Sequence, residues 1–185
     1  MKRLFLAICL GMNLMAGWAQ ADAKYGKGNV PVVNGRVTFC DTIATTLSPE
    51  AAYGKVTAWA KERFQKPNVI ISKFVSEDKQ NQHLNITAEE YLVFTNRFFV
   101  LDRTRINYWV DIKCNDNYTV FTVTRINYWY DEERYGGLKF GAEDMITDDK
   151  AFNKKGKLLK DQGKFRRKTI DFFENCVMQL SEALN

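Results

Sequence analysis

Alternating hydrophobic and polar positions along the chain predict strands, and apolar residues at helical spacing predict helices. Runs rich in β-forming residues predict three strands, at Val37–Ile43, Val69–Glu77 and Tyr91–Val100. The polar segment Ser76–Gln82 predicts a hairpin turn or a loop, with the only histidine, His83, at its end.

Two segments have the spacing of amphipathic helices. Ser48 provides a cap and Pro49 a first helical residue, so the first helix is predicted to run from there to about Phe64. Its apolar stripe is Ala52, Val56, Trp59, Ala60 and Phe64. The second helix covers about Gln162–Leu184, with a stripe of Phe165, Thr169, Phe172, Cys176, Leu180 and Leu184. Its solvent side is assigned to Arg166, Arg167, Lys168, Asp171 and Glu174.

The six residues Thr-Arg-Ile-Asn-Tyr-Trp occur twice, at 104–109 and at 124–129. Between the copies, residues 115–117 are the turn formers Asn-Asp-Asn, so the copies are predicted to be paired strands of an antiparallel hairpin. A turn centred on the middle residue of this cluster places Ile112 opposite Val120. The repeat, here called the twin motif, is therefore interpreted as two paired strands in similar environments and not as a repeat fold.

Side chains alternate between the two faces of this hairpin. The predicted core face carries Ile106, Tyr108, Val110, Ile112, Val120, Ile126 and Tyr128. The opposite face carries Arg105, Asn107, Trp109, Phe121, Val123, Arg125, Asn127 and Trp129. The second face mixes aromatic rings, guanidinium groups and amides, which suit contacts with sugars, bases or peptides.

Six residues of the mixed face form the candidate binding site: Arg105, Asn107, Trp109, Arg125, Asn127 and Trp129. The alternative is that residues 131–160 or a partner chain cover this face and make it a second small core.

The predicted fold is α+β, with a single curved antiparallel sheet of about five strands covered on one face by two helices. The elements follow the order β-α-β-β-β-β-α. Residues 131–160 are charged and poorly periodic, and are predicted to be a long ordered loop with helical turns. Residues 22–185 are predicted to form one domain.

Several segments carry a resemblance to a known family: Leu101–Tyr108, Ile146–Lys150, Lys164–Phe172, Asn29–Phe39 and Ala58–Arg63. Together with the element order, they make the chain similar to exported Bacteroidetes proteins described as a domain of unknown function with a TATA-binding-protein-like fold. The resemblance extends over about Tyr25–Val177. It implies that fold and export, and it implies no activity and no functional residues.

Residues 1–21 have the pattern of a secretory signal peptide, with basic Lys2 and Arg3 before an apolar stretch and a small-residue cleavage site after Ala21. The apolar stretch is shorter than the roughly 20 residues that span a bilayer, so no transmembrane anchor is expected after cleavage. Ile8 precedes Cys9 where a lipoprotein signal needs a small residue, which disfavours lipid anchoring. The predicted location is the periplasm or the exterior.

The net charge of +5 falls to +3 when Lys2 and Arg3 are removed, leaving 25 basic against 22 acidic residues. That excess is small for a nucleic-acid binder, so nucleic acid is not an expected partner. Acidic residues concentrate in 131–149 and basic residues in 150–168, which is typical of solvated surface.

The sequence has no pattern that predicts catalysis, a metal or a cofactor. His83 has no ligand at metal-binding spacing, no Gly-x-Ser-x-Gly turn is present, and no glycine-rich phosphate loop precedes a helix. Neighbouring acids such as Glu89 and Glu90 would point to opposite faces of a strand. Cysteines remain at 40, 114 and 176, and the sequence leaves open whether any two are bonded.

The expected function is a non-enzymatic, exported binding or envelope-associated module with a protein, peptide or glycan partner. One alternative is a hydrolase acting on an envelope or dietary polymer, with acids from 131–149. Another is a structural role in which the basic segment 150–168 meets anionic lipid or polymer.

Overall fold

The computed structural model describes residues 23–67 and 69–185, so the signal peptide predicted at 1–21 lies outside the described residues. The strands are β1 (Val32–Val33), β2 (Arg36–Ala44), β3 (Val69–Asp78), β4 (His83–Arg97), β5 (Val100–Asn115), β6 (Tyr118–Tyr130) and β7 (Leu138–Gly141). The α-helices are α1 (Pro49–Arg63), α2 (Asp148–Ala151) and α3 (Lys160–Leu184), and Ala142–Asp144 form a 3₁₀ turn.

The strands form one antiparallel sheet in the order β1-β2-β6-β5-β4-β3, with β7 paired to the far end of β6. The predicted α+β class is confirmed, and the sheet has seven strands rather than five. The two additional strands, β1 and β7, have two and four residues, which is too short for an alternating pattern to reveal them. Helices α1 and α3 pack on the same face of the sheet. The hydrophobic core lies between these helices and the sheet residues that point toward them.

The third predicted strand is divided differently in the structure. Strand β4 already begins at His83, the chain turns at Phe98 and Phe99, and Val100 opens β5. His83 is therefore a strand residue paired with Lys113, and not the end of a loop. Phe99 adopts a positive φ of 63°, which closes this two-residue turn and which no sequence period indicates.

Helix α1 agrees with its prediction. The Ser48 hydroxyl accepts a hydrogen bond from the Ala51 amide at 3.3 Å, and Pro49 occupies the first helical position. The stripe is buried at Ala52, Val56, Ala60 and Phe64, and Trp59 packs beside it.

Helix α3 begins two residues before its predicted start and buries the predicted stripe, with Phe172 only partly buried. The predicted solvent side is wrong at one basic residue. Arg166, assigned above to the solvent side, is fully buried. Its guanidinium donates to the carbonyl oxygens of Tyr25, Gly26 and Ile146 and pairs with Asp148 at 2.9 Å. Helical spacing could not reveal this, because its partners lie on other segments of the chain.

The hairpin of β5 and β6 is present, but its register differs from the prediction by one residue. The turn has two residues, with a positive φ of 66° at Asn117, so Ile112 pairs with Phe121 and not with Val120. Phe121 and Val123 therefore lie in the core, whereas Val120 is only partly buried. The predicted face was wrong for these three residues.

A β-bulge at Arg125 restores the predicted face in the second half of β6. The register shifts between the Asn107 and Trp109 pairs, and Arg125 has a positive φ of 53°. Because one extra residue is accommodated there, Ile126 and Tyr128 point inward as predicted.

The segment 131–160 contains turns, the 3₁₀ turn and α2, as expected, and also strand β7. Cys40, Cys114 and Cys176 are all free thiols; the last two are buried, and Cys40 is exposed. Beneath the sheet, Arg63 of α1 forms a buried ion pair with Glu90 of β4 at 2.8 Å. The Tyr108 hydroxyl donates to the same carboxylate at 2.5 Å.

Candidate binding surface on the open face of the sheet

The face of the sheet opposite α1 and α3, here called the open face, carries the six predicted site residues. Arg105, Asn107 and Trp109 are alternate residues of β5 and are half-buried among neighbouring side chains. Asn127 and Trp129 follow the same alternation on β6, and Arg125 projects from the bulge. The structure therefore brings all six predicted residues together.

The two copies of the hexapeptide stack on each other reciprocally. The Arg105 guanidinium lies 4.9 Å from the ring centroid of Trp129, and that of Arg125 lies 4.3 Å from the ring centroid of Trp109. Each arginine thus covers the tryptophan of the other copy. Asn107 and Asn127 pair between the two stacks, so the arrangement has an approximate two-fold symmetry.

The stack of Arg105 on Trp129, here called the closed stack, is neutralised by acids of this chain. Arg105 donates to Glu89 at 3.1 Å and forms a second ion pair with Glu132. Partial burial lowers the pKa of Arg105, but the bonds to both carboxylates outweigh burial and raise its pKa above the ordinary value. The Trp129 indole N–H donates to the Gly136 carbonyl oxygen at 2.8 Å.

The alternative in which residues 131–160 cover the face therefore applies only at this end. Glu132 and Gly136 close over Arg105 and Trp129, and the Lys139 ammonium lies 4.3 Å from the Trp129 centroid.

The stack of Arg125 on Trp109, here called the open stack, has no such cover. Arg125 is exposed, and it has no ion pair within residues 23–67 and 69–185. The Asn127 amide donates to the Arg125 carbonyl oxygen at 2.9 Å and supports the bulge. A cleft of about 690 Å³ adjoins the stack, lined by Gly35, Arg36, Arg125, Ile126, Asn127 and Glu143.

A profile for a domain of unknown function (DUF4468) with a TBP-like fold matches residues 41–129. The crystal structure of a DUF4468 family protein from Bacteroides ovatus is similar to this chain, with 31% identity and a TM-score of 0.81. The similarity covers 89% of this chain and 95% of that one. The chain belongs to the DUF4468 family.

A TBP-like protein from Parabacteroides distasonis is also similar to this DUF4468 chain, with 25% identity and a TM-score of 0.70. That similarity covers 84% of this chain and 96% of the other. No curated protein matches the chain. The DUF4468 description establishes the fold and assigns no activity, in agreement with the resemblance described above.

The open face of this DUF4468 protein also includes a second cleft of about 680 Å³, beside the closed stack. Its charged and amide groups come from Glu89, Arg105, Asn107, Asn127, Lys139 and Asp144. Sequence reasoning missed Arg36, Glu89 and Glu132 as neighbours of the site, because they come from segments outside the twin motif. Only Glu89 had a signal in the sequence, because strand alternation places Glu89 outward and Glu90 inward.

At the end of the sheet near the closed stack, the turn between β4 and β5 presents two bare aromatic side chains. Phe98 is 87% exposed and Phe99 is 93% exposed, and their ring centroids are 4.1 Å apart. Nothing in the sequence separates this pair from strand aromatics, because it lies within a β-rich run. Tyr135 and Leu138 are also exposed in the segment that follows β6.

Reactive groups show little clustering in the described part of this DUF4468 chain. His83 lies near the other end of the open face, where its Nε2 is 2.7 Å from an Asp111 carboxylate oxygen. Among residues 23–67 and 69–185, no group of three histidine, cysteine or acidic side chains could hold a metal ion. Over the same residues, no helix combines the length and the apolar character needed to cross a bilayer.

Proposed function

We propose that this DUF4468 chain is a non-enzymatic, exported binding module that recognises its partner through side chains of the open face. The observation that carries the proposal is the pair of reciprocal arginine–tryptophan stacks flanking the Asn107–Asn127 pair. Arg105 of one stack and Trp109 of the other are four positions apart on β5, which corresponds to about 13 Å along the strand. This spacing suits an extended ligand of a few units.

Recognition at this place must use side chains. Strands β5 and β6 are paired on both sides along the twin motif, apart from the gap beside the bulge at Arg125, so a ligand cannot add there as a full strand. What remains available to a ligand is aromatic surface, guanidinium groups and amides. These groups are enriched where proteins bind partners.

The hydrolase alternative is less well supported, because acids of 131–149 have structural partners. Glu132 pairs with Arg105, Glu143 accepts the Val37 amide at 2.8 Å, and Asp148 accepts the Gly28 amide at 2.7 Å. The basic segment 150–168 does not form a uniform basic face either, because Arg166 is buried.

The binding proposal is tested with a panel of oligosaccharides and peptides applied to the wild-type protein and to Trp109→Ala/Trp129→Ala. We expect the double variant to lose at least about tenfold in affinity for any ligand found, because each ring contributes stacking area. Phe98→Ala/Phe99→Ala is the matched control, since it removes two exposed rings that belong to neither stack. A folded tryptophan variant with full affinity would refute the proposal.

Export is the second part of the proposal, and it rests on the signal-peptide pattern of residues 1–21. Cell fractionation should recover the protein outside the cytoplasm, with Asp22 as its first residue in mass spectrometry. Recovery from the cytoplasm with residues 1–21 retained would contradict it.

A further inference from the structure

The two stacks on the open face differ in the carboxylates that surround their arginines. At the closed stack, Arg105 contacts Glu89 and Glu132. At the open stack, Arg125 has the corresponding place in an identical hexapeptide, and it forms no ion pair with any acid among the described residues. The closed stack therefore shows that an arginine in this arrangement can bind carboxylates.

The gap beside the open stack has a structural origin. Strand β4 continues past Arg105 and supplies Glu89, whereas the pairing of β2 with β6 ends at Thr38 and Thr124. Strand β7 pairs with β6 only from Asn127 onward. The bulge at Arg125 thus lies between two strand ends, where the cleft of about 690 Å³ opens.

The charge at this gap is positive. Arg36 and Arg125 both line the cleft, and neither forms an ion pair within the described ranges 23–67 and 69–185. Glu143, the one acid among the lining residues, has an oxygen occupied by the Val37 amide. Two guanidinium groups beside one engaged carboxylate leave room for a further anionic group, and arginine binds carboxylates in a bidentate manner.

The geometry points to a carboxylate-bearing sugar as the ligand of the open stack, with its carboxylate held by Arg125 and Arg36. This inference rests on the proposed binding role of the open face. The neighbouring side chains are Trp109, Asn127, Thr124 and Thr38. The Asn127 amide donates to the Arg125 carbonyl oxygen at 2.9 Å and the Thr38 hydroxyl donates to the Arg36 carbonyl oxygen at 3.2 Å, so both side chains present mainly acceptor oxygens. The many hydroxyl groups of a sugar can donate to such oxygens, whereas an acidic peptide offers a single backbone N–H per residue.

Isothermal titration of the wild-type protein with trigalacturonate tests the assignment. Its fully methyl-esterified form is the matched probe, because it keeps the hydroxyls and loses the charges. We expect trigalacturonate to bind more tightly than the ester, and this advantage to decrease as salt screens the charges. Binding of hexaglutamate without binding of trigalacturonate would overturn the assignment to a sugar.

Arginine variants locate the carboxylate. Arg125→Gln and Arg36→Gln should each weaken trigalacturonate binding about 10- to 100-fold, because each removes charge-assisted hydrogen bonds, and Arg125→Lys should restore only part of the loss. Arg167→Gln, on the exposed side of α3, removes the same charge elsewhere and should leave binding unchanged. An Arg125→Gln variant that binds as tightly as Arg167→Gln would overturn the inference.

Failure of this inference can be distinguished from failure of the proposed function. If a neutral oligosaccharide binds, depends on Trp109 and is indifferent to Arg125→Gln, the binding role stands and the carboxylate is refuted. If the Trp109→Ala/Trp129→Ala variant binds every probe as the wild type does, both are refuted.

Discussion

Two consecutive glutamates of β4 serve opposite sides of the sheet. Glu89 points to the open face and pairs with Arg105, where both side chains are about one quarter exposed. Glu90 points inward, is 2% exposed, and contacts Arg63 and Tyr108. Burial lowers the pKa of Arg63, but nearby Cys176 and Glu90 outweigh burial and raise its pKa above the ordinary value. The arginine therefore remains charged in the core, and its charge needs a partner there.

Glu90→Gln should consequently lower the free energy of unfolding by about 3–5 kcal/mol, because it leaves the Arg63 charge buried without a carboxylate. Glu89→Gln is the matched control and should cost about 1 kcal/mol or less, because water screens its pair. Urea denaturation of both variants measures the difference. Equal losses would show that the buried pair contributes no more than the partly exposed one.

The cysteines should differ in reactivity according to their burial. Burial raises the pKa of the Cys176 thiol from its ordinary value of 9.0 to about 11, and burial also raises the pKa of Cys114. Alkylation by iodoacetamide at pH 8, followed by peptide mass spectrometry, should therefore label exposed Cys40 and spare the other two until the protein is unfolded. Rapid labelling of Cys176 in the folded protein would contradict this burial.

The same thiol adds a pH dependence to stability. Because the folded pKa of Cys176 lies above the unfolded value, its stabilising contribution is complete below about pH 9. It should be lost as the pH rises from about 9 to about 11. Cys176→Ala should remove this part of the alkaline loss, measured as thermal midpoints across that range. An unchanged alkaline profile in the variant would assign the loss to other groups.

At the scale of elements, the long periodic segments could be predicted from the sequence, whereas turn lengths and β-bulges could not. The sequence correctly predicts α1, most of α3 and the pairing of the twin motifs, because their apolar periods are sustained. The phase of β6 fails at Phe121 and Val123, because alternation carries no information about a two-residue turn or a bulge at Arg125. The six candidate residues still share a face, because the bulge compensates for the shift.

The turn between β4 and β5 offers a test of stored backbone strain. Phe99 has a φ of 63°, and a left-handed conformation costs a non-glycine residue roughly 1–2 kcal/mol. Phe99 is also almost fully exposed, so little packing is lost when its side chain is removed. Phe99→Gly should therefore raise the free energy of unfolding by about 0.5–1 kcal/mol after the entropy cost of glycine.

Phe98→Gly provides the control for this prediction. Phe98 is exposed to a similar extent as Phe99 but does not have a positive φ. It should give no gain and a small loss in urea denaturation. If both glycine variants change stability in the same direction and by the same amount, exposure of the rings and not backbone strain explains the effect.

For the whole molecule, the placement of α1 and α3 on one face puts the core and the candidate binding surface on opposite sides of the sheet. The core lies between the helices and the sheet, whereas the stacks and both clefts of the open face lie on the other side. The candidate site could be predicted from the twin motif, but Arg36 and Glu132 could not, because the fold brings them from distant segments. Variants of the open stack should therefore alter binding without unfolding the protein.

Arg166 links three distant parts of the chain from inside the helical layer. It binds the carbonyl oxygens of Tyr25 and Gly26 in the N-terminal segment, the carbonyl oxygen of Ile146, and the carboxylate of Asp148. Burial lowers the pKa of Arg166 from its ordinary value, and the interaction with Asp148 opposes this change. Arg166 is therefore one of several contacts that attach the segment at 23–31, together with the ion pairs of Lys24 to Asp171 and Glu174 and the Gly28 amide that donates to Asp148.

Arg166→Gln should lower the free energy of unfolding by about 3 kcal/mol or more, because the buried carbonyls and Asp148 lose their shared donor. Hydrogen exchange should locate the effect, with faster exchange at residues 23–31 and 146–151 and little change in β4 and β5. Arg167→Gln, one residue further along α3 and exposed, should stay within about 0.5 kcal/mol of the wild type. A uniform rise in exchange across the whole sheet would show instead that Arg166 supports the core as a whole and not this local junction.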